Sequence, residues 1–236
     1  VPVGVGWVPT GDNAPALGTS SQAVGKAAVA VGAKSTAQLD NSIVVGNQAQ
    51  TQAVGASTVT TREGATRPGA VVVTNPSTPL PASGSNSIAM GNQARVNGGD
   101  SIVIGPGASA EKVTNLYSVA ASPAGSKETQ MTLVQPVKNT VVVGNAARAN
   151  GDGITVIGAG AIAERYSRIP LNGFGGPYVL TNVVVPATNS TVVGSGAASK
   201  GINNVVIGSG AQTARDGPDV TGTIEFKDHN STVARY

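Results

Sequence analysis

Residues 29–49 of the chain read VAVGAKSTAQLDNSIVVGNQA, and this stretch holds one pattern twice. Each copy is a short apolar run closed by a glycine, first residues 29–31 before Gly32 and then residues 43–45 before Gly46. These two glycines lie 14 residues apart, and Gly18 precedes Gly32 by the same interval. A fixed short period of this kind predicts a stack of structural repeats.

The 14-residue interval returns in three further pairs of glycines along the chain. We assign one structural repeat to each glycine of the series, which is Gly18, Gly32, Gly46, Gly91, Gly105, Gly144, Gly158, Gly194 and Gly208. Nine glycines in one register indicate a repeated backbone unit rather than a low-complexity segment.

Each repeat predicts two short strands joined by two corners. The run before the glycine is β-prone, as in Ile102-Val103-Ile104, and an alanine three residues after the glycine opens a second run of small residues. Corners such as Asn97-Gly98-Gly99-Asp100 supply residues that tolerate positive φ. The sequence therefore predicts an all-β solenoid of about 14-residue coils.

The three-residue runs are apolar on both faces of the predicted strand. A strand alternates its faces, so the middle residue of each run points away from its two neighbours. We expect the middle residue to point outward and to stay uncovered in a single chain, which favours oligomerisation. The valines assigned in this way to a trimer interface or core are Val44, Val103, Val142, Val156, Val192 and Val206.

Insertions interrupt the coil register at about residues 55–84, 112–138, 164–188 and 214–228. Residues 70–74, 130–134 and 178–185 within them are predicted strands, so we expect hairpin-like excursions that either contact a ligand or buttress a subunit interface. Aromatic and basic residues of the insertions are the candidate ligand contacts. These candidates are Arg62, Arg67, Tyr117, Lys127, Arg165, Tyr166, Arg168, Phe174 and Tyr178.

Composition argues against most chemical functions. Charged residues make up 11% of the chain and aromatic residues 3%, with a formal net charge of +3 and no basic run, so we expect no nucleic-acid partner. There is no cysteine, and His229 is the single histidine, so we expect no catalytic residue, no metal site and no cofactor.

Trp7, in an N-terminal segment formed by residues 1–13, is expected to cap the first coil. We expect the chain to be an excised part of a longer protein that carries any membrane anchor elsewhere.

The segments Asn41-Ser42-Ile43-Val44-Val45-Gly46, Asn86-Ser87-Ile88-Ala89-Met90-Gly91 and Asn189-Ser190-Thr191-Val192-Val193-Gly194 resemble the head repeat of YadA-like trimeric autotransporter adhesins. The resemblance covers the nine coils within residues 14–236, and we expect a tenth coil at residues 230–234. It implies a left-handed parallel β-roll and a homotrimer displayed on a Gram-negative outer membrane. It also implies attachment to host cell-surface or extracellular-matrix proteins, with collagen as one possible ligand.

Two other solenoid classes remain as alternatives. Hexapeptide-repeat acyltransferases are trimeric solenoids, and Ile104-Gly105-Pro106-Gly107-Ala108-Ser109 is similar to one of their rungs, but their coils advance by multiples of six. Ice-binding solenoids stack small repeats and present ranks of threonine, whereas the ranks of these coils hold valine or alanine.

Overall fold

The structure is a computed structural model that describes residues 8–53, 58–63, 72–76, 85–119, 127–135, 137–164, 166–168, 183–185, 187–213, 226–227 and 233–234. These residues form strands and turns, and none of them lies in a helix long and apolar enough to cross a membrane.

The strands are short and follow one another closely along the chain. In the first half they are β1 (Val8–Pro9), β2 (Ala16–Leu17), β3 (Gln22–Ala23), β4 (Val29–Val31), β5 (Thr36–Ala37), β6 (Ile43–Val45), β7 (Gln50–Thr51), β8 (Thr58–Glu63), β9 (Val72–Pro76), β10 (Ile88–Met90), β11 (Arg95–Val96), β12 (Gly98–Gly99), β13 (Ile102–Ile104) and β14 (Ser109–Ala110). In the second half they are β15 (Val113–Val119), β16 (Lys127–Gln135), β17 (Val137–Lys138), β18 (Val141–Val143), β19 (Arg148–Ala149), β20 (Thr155–Ile157), β21 (Ile162–Glu164), β22 (Tyr166–Arg168), β23 (Val183–Val185), β24 (Thr191–Val193), β25 (Ala198–Lys200), β26 (Val205–Ile207), β27 (Phe226–Lys227) and β28 (Val233–Ala234).

Two nine-stranded parallel sheets form a β-roll. Sheet A has the order β2-β4-β6-β10-β13-β18-β20-β24-β26, and sheet B has the order β1-β3-β5-β7-β11-β14-β19-β21-β25. The chain alternates between the two sheets, so each coil adds one strand to each of them. The register keeps equivalent residues together, as Val44 pairs with Ala89 and Ala89 pairs with Val103. The predicted all-β roll of about 14-residue coils is confirmed.

The core of the roll is thin because only small side chains fit between the two sheets. The middle residues Val44, Val103, Val142, Val156 and Val192 are 0% exposed and Val206 is 4% exposed, all within a single chain. The expectation that these valines point outward is therefore wrong, and they belong to the core. The flanking residues of the same strands face outward instead, as Ile104 and Ile207 are 39% and 70% exposed.

The repeat glycines form the corner that follows each strand of sheet A. Their φ angles lie between 127° and 144°, a region that residues with a side chain rarely adopt. A Cβ atom on Gly91 would lie 2.5 Å from the carbonyl oxygen of Gly105 in the next coil, which is too close for any side chain. The corner therefore requires glycine for its conformation and for the close approach of successive coils.

The described parts of the insertions are antiparallel strand pairs. β8 pairs with β9, β15 with β16, and β22 with β23. The predicted strands at residues 70–74, 130–134 and 178–185 overlap β9, β16 and β23, respectively.

β28 pairs with β27 in antiparallel fashion instead of joining sheet A, so the expected tenth coil at residues 230–234 is wrong. Near the N-terminus, β1 lies within sheet B, and Trp7 lies outside the described residues.

Candidate functional site

Three of the insertions interrupt the roll at the same corner. Each departs just after a strand of sheet B, at residues 53, 112 and 164, and the chain returns at Ser85, Val137 and Ala187. The returning chain bonds at once to the preceding coil: the Asn86 N–H donates to the Asp40 carbonyl at 3.0 Å, and the Ala187 N–H donates to the Asn150 carbonyl at 2.8 Å. Because re-entry restores the backbone hydrogen bonds, an insertion does not disturb the stacking of the coils.

The spacing between these insertions is regular. Two coils separate the first insertion from the second, with β10 and β13 in sheet A, and two coils separate the second from the third, with β18 and β20. Neighbouring strands lie about 4.8 Å apart, so successive insertions leave the roll at intervals of roughly 9.6 Å. The insertions therefore form one row along one corner of the roll.

The first two insertions join in a single four-stranded antiparallel sheet, which we call the insertion sheet. Its order is β15-β16-β8-β9, so β16 of the second insertion pairs with β8 of the first. Its six-residue register between β8 and β16 runs from Thr58 opposite Thr132 to Glu63 opposite Lys127. A surface on this sheet is therefore composed of residues from both insertions.

The structure places five of the nine predicted ligand contacts in described strands. Arg62, Tyr117 and Lys127 all belong to the insertion sheet, although two different insertions supply them. Tyr166 and Arg168 lie in β22 of the third insertion. The remaining four residues, Arg67, Arg165, Phe174 and Tyr178, lie outside the described residues.

The outer face of sheet A is mostly apolar, with Thr155 and Thr191 as its polar exceptions. Its exposed residues come from one end of the roll to the other and include Leu17, Ile43, Met90, Ile102, Ile104, Ile157, Val205 and Ile207, which are 36% to 70% exposed. Exposed residues that large and that contiguous are typical of a surface that another molecule covers.

The outer face of sheet B is more polar. Exposed residues there include Gln22, Gln38, Arg95, Glu111, Arg148 and Lys200, with Val24 as an apolar exception. The two outer faces of the roll therefore differ in chemistry, and sheet A is the one suited to a subunit contact.

A column of buried hydroxyl groups inside the roll was missed by the sequence analysis. Ser101 Oγ donates to the Gly99 carbonyl at 2.8 Å and accepts the Thr140 N–H of the next coil at 3.3 Å. Thr140 Oγ1 repeats the arrangement: it lies 3.0 Å from the Lys138 carbonyl and 3.1 Å from the Gly151 carbonyl, which share its proton, and it accepts the Ile154 N–H at 3.4 Å. The signal was present in the sequence, since the residue four positions before the repeat glycine is Ser or Thr in five coils.

Carboxylates at the corner from which the insertions depart bind backbone N–H groups of the neighbouring coil. Asp40 Oδ1 accepts the Lys26 N–H at 2.7 Å, and Asp152 Oδ1 accepts the Lys138 N–H at 2.8 Å. Burial raises the pKa of the Asp152 carboxyl, and it outweighs the Lys138 N–H and the Lys138 charge, which both lower that pKa. These carboxylates hold corners together and do not converge on a reaction centre.

The described ranges contain no cluster of three or more His, Cys, Asp or Glu residues that would hold a metal ion. His229 lies outside the described residues. The described residues form a roll with an apolar outer face on sheet A and a row of hairpins along one corner.

Comparison with known proteins identifies the repeat. The family described as YadA head domain repeat (2 copies) matches residues 10–35, 23–49 and 82–108, which include the coils of Gly18, Gly32, Gly46, Gly91 and Gly105. No curated protein sequence matches the chain. The YadA head is an adhesin family of trimeric autotransporters at the bacterial cell surface, and not a family of enzymes, so the match indicates an adhesin-type role. Residues 10–49 and 82–108 of this chain thus carry YadA head domain repeats.

Proposed function

We propose that the chain forms the head of a homotrimeric adhesin, anchored in a bacterial outer membrane by other parts of its protein, that attaches the cell to host cells or extracellular matrix. The proposal rests on the YadA head repeats and on one structural observation, the apolar outer face of sheet A. A roll this thin cannot cover that face by itself. Three chains packed through sheet A bury it and leave sheet B and the insertions accessible.

The mechanism that we propose is multivalent display. A rigid roll fixes the insertion row at a constant spacing, and a trimer presents three such rows to one surface. Individually weak contacts then combine into firm attachment, because each contact after the first forms at high effective concentration. The candidate contacts Arg62, Tyr117, Lys127, Tyr166 and Arg168 are placed in hairpin strands of this row. Arg67, Arg165, Phe174 and Tyr178 are proposed contacts of the same row.

The first test is the mass of the purified head. Light scattering should give three times the 23.1 kDa of one chain. A monomer that is stable at micromolar concentration would contradict the trimer.

The second test is attachment to a panel of extracellular-matrix proteins and to epithelial cells. Deleting residues 54–84, 112–136 or 165–186 leaves 14 residues between the flanking repeat glycines, so each deletion restores an uninterrupted coil. Because the coil stacking is independent of the insertions, the three variants should remain trimeric and folded. Loss of attachment in one or more of them assigns the contact to the insertion row, whereas full attachment by all three assigns it to the coils.

A further inference from the structure

Two adjacent coils of the roll are rich in carboxamide side chains. The chain reads GNQAQTQ over residues 46–52 and GNQARVN over residues 91–97. The first insertion separates these segments in the sequence, but β7 pairs with β11 in the roll, and the Gln93 N–H donates to the Asn47 carbonyl at 2.8 Å. The two segments therefore lie side by side and form one surface, which we call the carboxamide patch. Its members are Asn47, Gln48, Gln50, Gln52, Asn92, Gln93 and Asn97.

The members of the carboxamide patch are accessible to solvent within one chain. The four at the corner after sheet A are exposed, and the three on the outer face of sheet B are partly exposed. On sheet B, Gln52 Nε2 donates to Gln50 Oε1 at 2.5 Å, and Asn97 Nδ2 donates to Gln52 Oε1 at 2.9 Å. A carboxamide has two N–H donors and two acceptor lone pairs, so each of these groups keeps hydrogen-bonding capacity for a ligand.

The coil itself does not require a carboxamide at the corner of the patch. Gln48 and Gln93 have φ angles of 54° and 59°, in the left-handed region that disfavours residues with a side chain. In four other coils the equivalent residue is glycine, with φ angles between 63° and 67°, and these residues are Gly107, Gly160, Gly196 and Gly210. Because the corner forms there without any side chain, the carboxamides of Gln48 and Gln93 are suited to a contact with another molecule.

The composition of the patch narrows the class of that molecule. The apolar residues of the two segments, Ala49, Ala94 and Val96, are 0% exposed, and Arg95 is their single charged residue. Protein contacts depend on apolar and aromatic anchors near their centre, which these segments do not present. An array of groups that donate and accept hydrogen bonds without charge matches a ligand covered with hydroxyl groups.

We propose that the carboxamide patch binds a neutral oligosaccharide of the host surface. This proposal rests on the proposed adhesive function and adds a contact on the coils to those proposed for the insertion row. The patch lies on the corner and on sheet B, outside the outer face of sheet A that we assign to the subunit contact. A trimer then presents three patches, so weak binding of single oligosaccharides sums to firm attachment on a glycan-coated surface.

The test compares two pairs of substitutions at the same position of different coils. Gln48→Gly with Gln93→Gly removes two carboxamides from the patch. Ser20→Gly with Ala146→Gly is the matched control, because these residues have φ angles of 57° and 53° at the equivalent corner of coils outside the patch. Glycine relieves the left-handed conformation in both pairs, so neither variant should unfold at a lower temperature than the wild type.

A second variant alters the patch through a different pair of residues. Asn47→Ser with Asn92→Ser removes two further carboxamides, and serine occupies the equivalent positions 195 and 209 of other coils. This variant should therefore fold as the wild type does. Its binding is measured beside that of the Gln48/Gln93 variant.

The probes are immobilised neutral oligosaccharides ending in galactose, mannose or N-acetylglucosamine, with sialylated and sulfated oligosaccharides for comparison. We expect the trimeric head to bind at least one neutral oligosaccharide and each patch variant to bind it roughly tenfold more weakly. The Ser20/Ala146 variant should bind as the wild type does. Binding of charged oligosaccharides alone, equal loss in the control and the patch variants, or no loss in either patch variant would each overturn the proposal.

Cell attachment distinguishes the failure of this proposal from the failure of the adhesive function. If the wild-type head attaches to epithelial cells and both patch variants attach equally well, the carboxamide patch is not the contact and the adhesive function stands. If the wild-type head attaches to no cell or matrix protein, the adhesive function itself is wrong.

Discussion

The Thr140 N–H donates to Ser101 Oγ at 3.3 Å, although these two buried residues are 39 positions apart in the sequence and the whole second insertion lies between them. Thr140 in turn accepts the Ile154 N–H at 3.4 Å through its own hydroxyl group. Side-chain hydroxyl groups of one coil thus accept hydrogen bonds from backbone N–H groups of the next coil. The second insertion does not interrupt this pattern.

The hydroxyl group of Thr140 should be important for stability. Thr140→Val keeps the side-chain volume but leaves the buried Ile154 N–H and Gly151 carbonyl without this partner. We expect the free energy of unfolding to fall by about 1–3 kcal/mol, measured by urea denaturation. Thr36→Val, on the outer side of sheet B and away from the proposed subunit contact, is the control and should change the free energy by less than about 0.5 kcal/mol. Equal effects of the two substitutions would contradict a specific role for the buried column.

Two of the repeat glycines allow the energetic cost of the corner's backbone conformation to be measured separately from the cost of steric overlap between coils. Gly105 and Gly208 have φ angles of 135° and 127°. A Cβ on Gly105 would overlap the carbonyl oxygen of Gly144, whereas a Cβ on Gly208 would meet, among the residues that the structure describes, only Ala211 Cβ at 3.6 Å. We expect Gly208→Ala to cost about 1–2 kcal/mol from conformation alone. Gly105→Ala should cost clearly more, which thermal unfolding followed by circular dichroism would show. A similar cost at both positions would mean that coil packing does not restrict the corner.

The proposal that the outer face of sheet A is the subunit contact can be tested by comparing one substitution on sheet A with one on sheet B. Ile104 is 39% exposed on sheet A, and Ile162 is partly exposed on sheet B. Ile104→Glu should prevent trimer formation, because three carboxylates would be buried at an apolar contact without partners. Ile162→Glu should leave the trimer intact by light scattering. Dissociation caused by Ile162→Glu alone would assign the subunit contact to sheet B.

Asp152 should make a recognisable contribution to the pH dependence of stability. Burial raises the pKa of its carboxyl in the folded state, so the folded protein holds this proton more tightly than the unfolded chain does. The contribution of Asp152 is therefore full below the ordinary pKa of 3.8 and declines as the pH rises through the raised value. Asp152→Asn keeps an oxygen acceptor for the Lys138 N–H and removes the titration, so the wild type should lose stability relative to this variant over that pH range. Urea denaturation at pH values from 3 to 7 measures the difference, and a difference that grew in favour of the wild type with rising pH would contradict the assigned cause.

The coil period was predictable because a glycine occupies the corner after each strand of sheet A. The sequence also indicates which face of each sheet A strand is buried, but it does so through side-chain size rather than through polarity. Both faces of the runs are apolar, yet the buried middle position holds only valine or alanine, as in Val103 and Ala89, while the outer positions accept Leu17, Met90 and Ile104. A narrow interior excludes the larger side chains, so size decides the face where polarity cannot.

The insertion sheet was not predictable from the sequence. The existence of extended strands followed from their valine and threonine content, but the pairing of β8 with β16 joins segments that lie about 70 residues apart. Such pairing depends on where the roll places the ends of each hairpin. Local sequence patterns carry no information on that placement.

The hydrogen bonds between coils run along the axis of the roll, and this direction has a mechanical consequence. Bonds such as those from the Gly105 N–H to the Met90 carbonyl and from the Ile88 N–H to the Ser101 carbonyl link one coil to the next. A tensile force applied along that axis acts on them in the direction in which they open, so coils can separate one at a time. A strand pair that links a hairpin on one pair of coils to the hairpin on the next, as β8 and β16 do, provides a second path for that force. The same hairpins that extend the surface would then also resist the unravelling of the roll under flow.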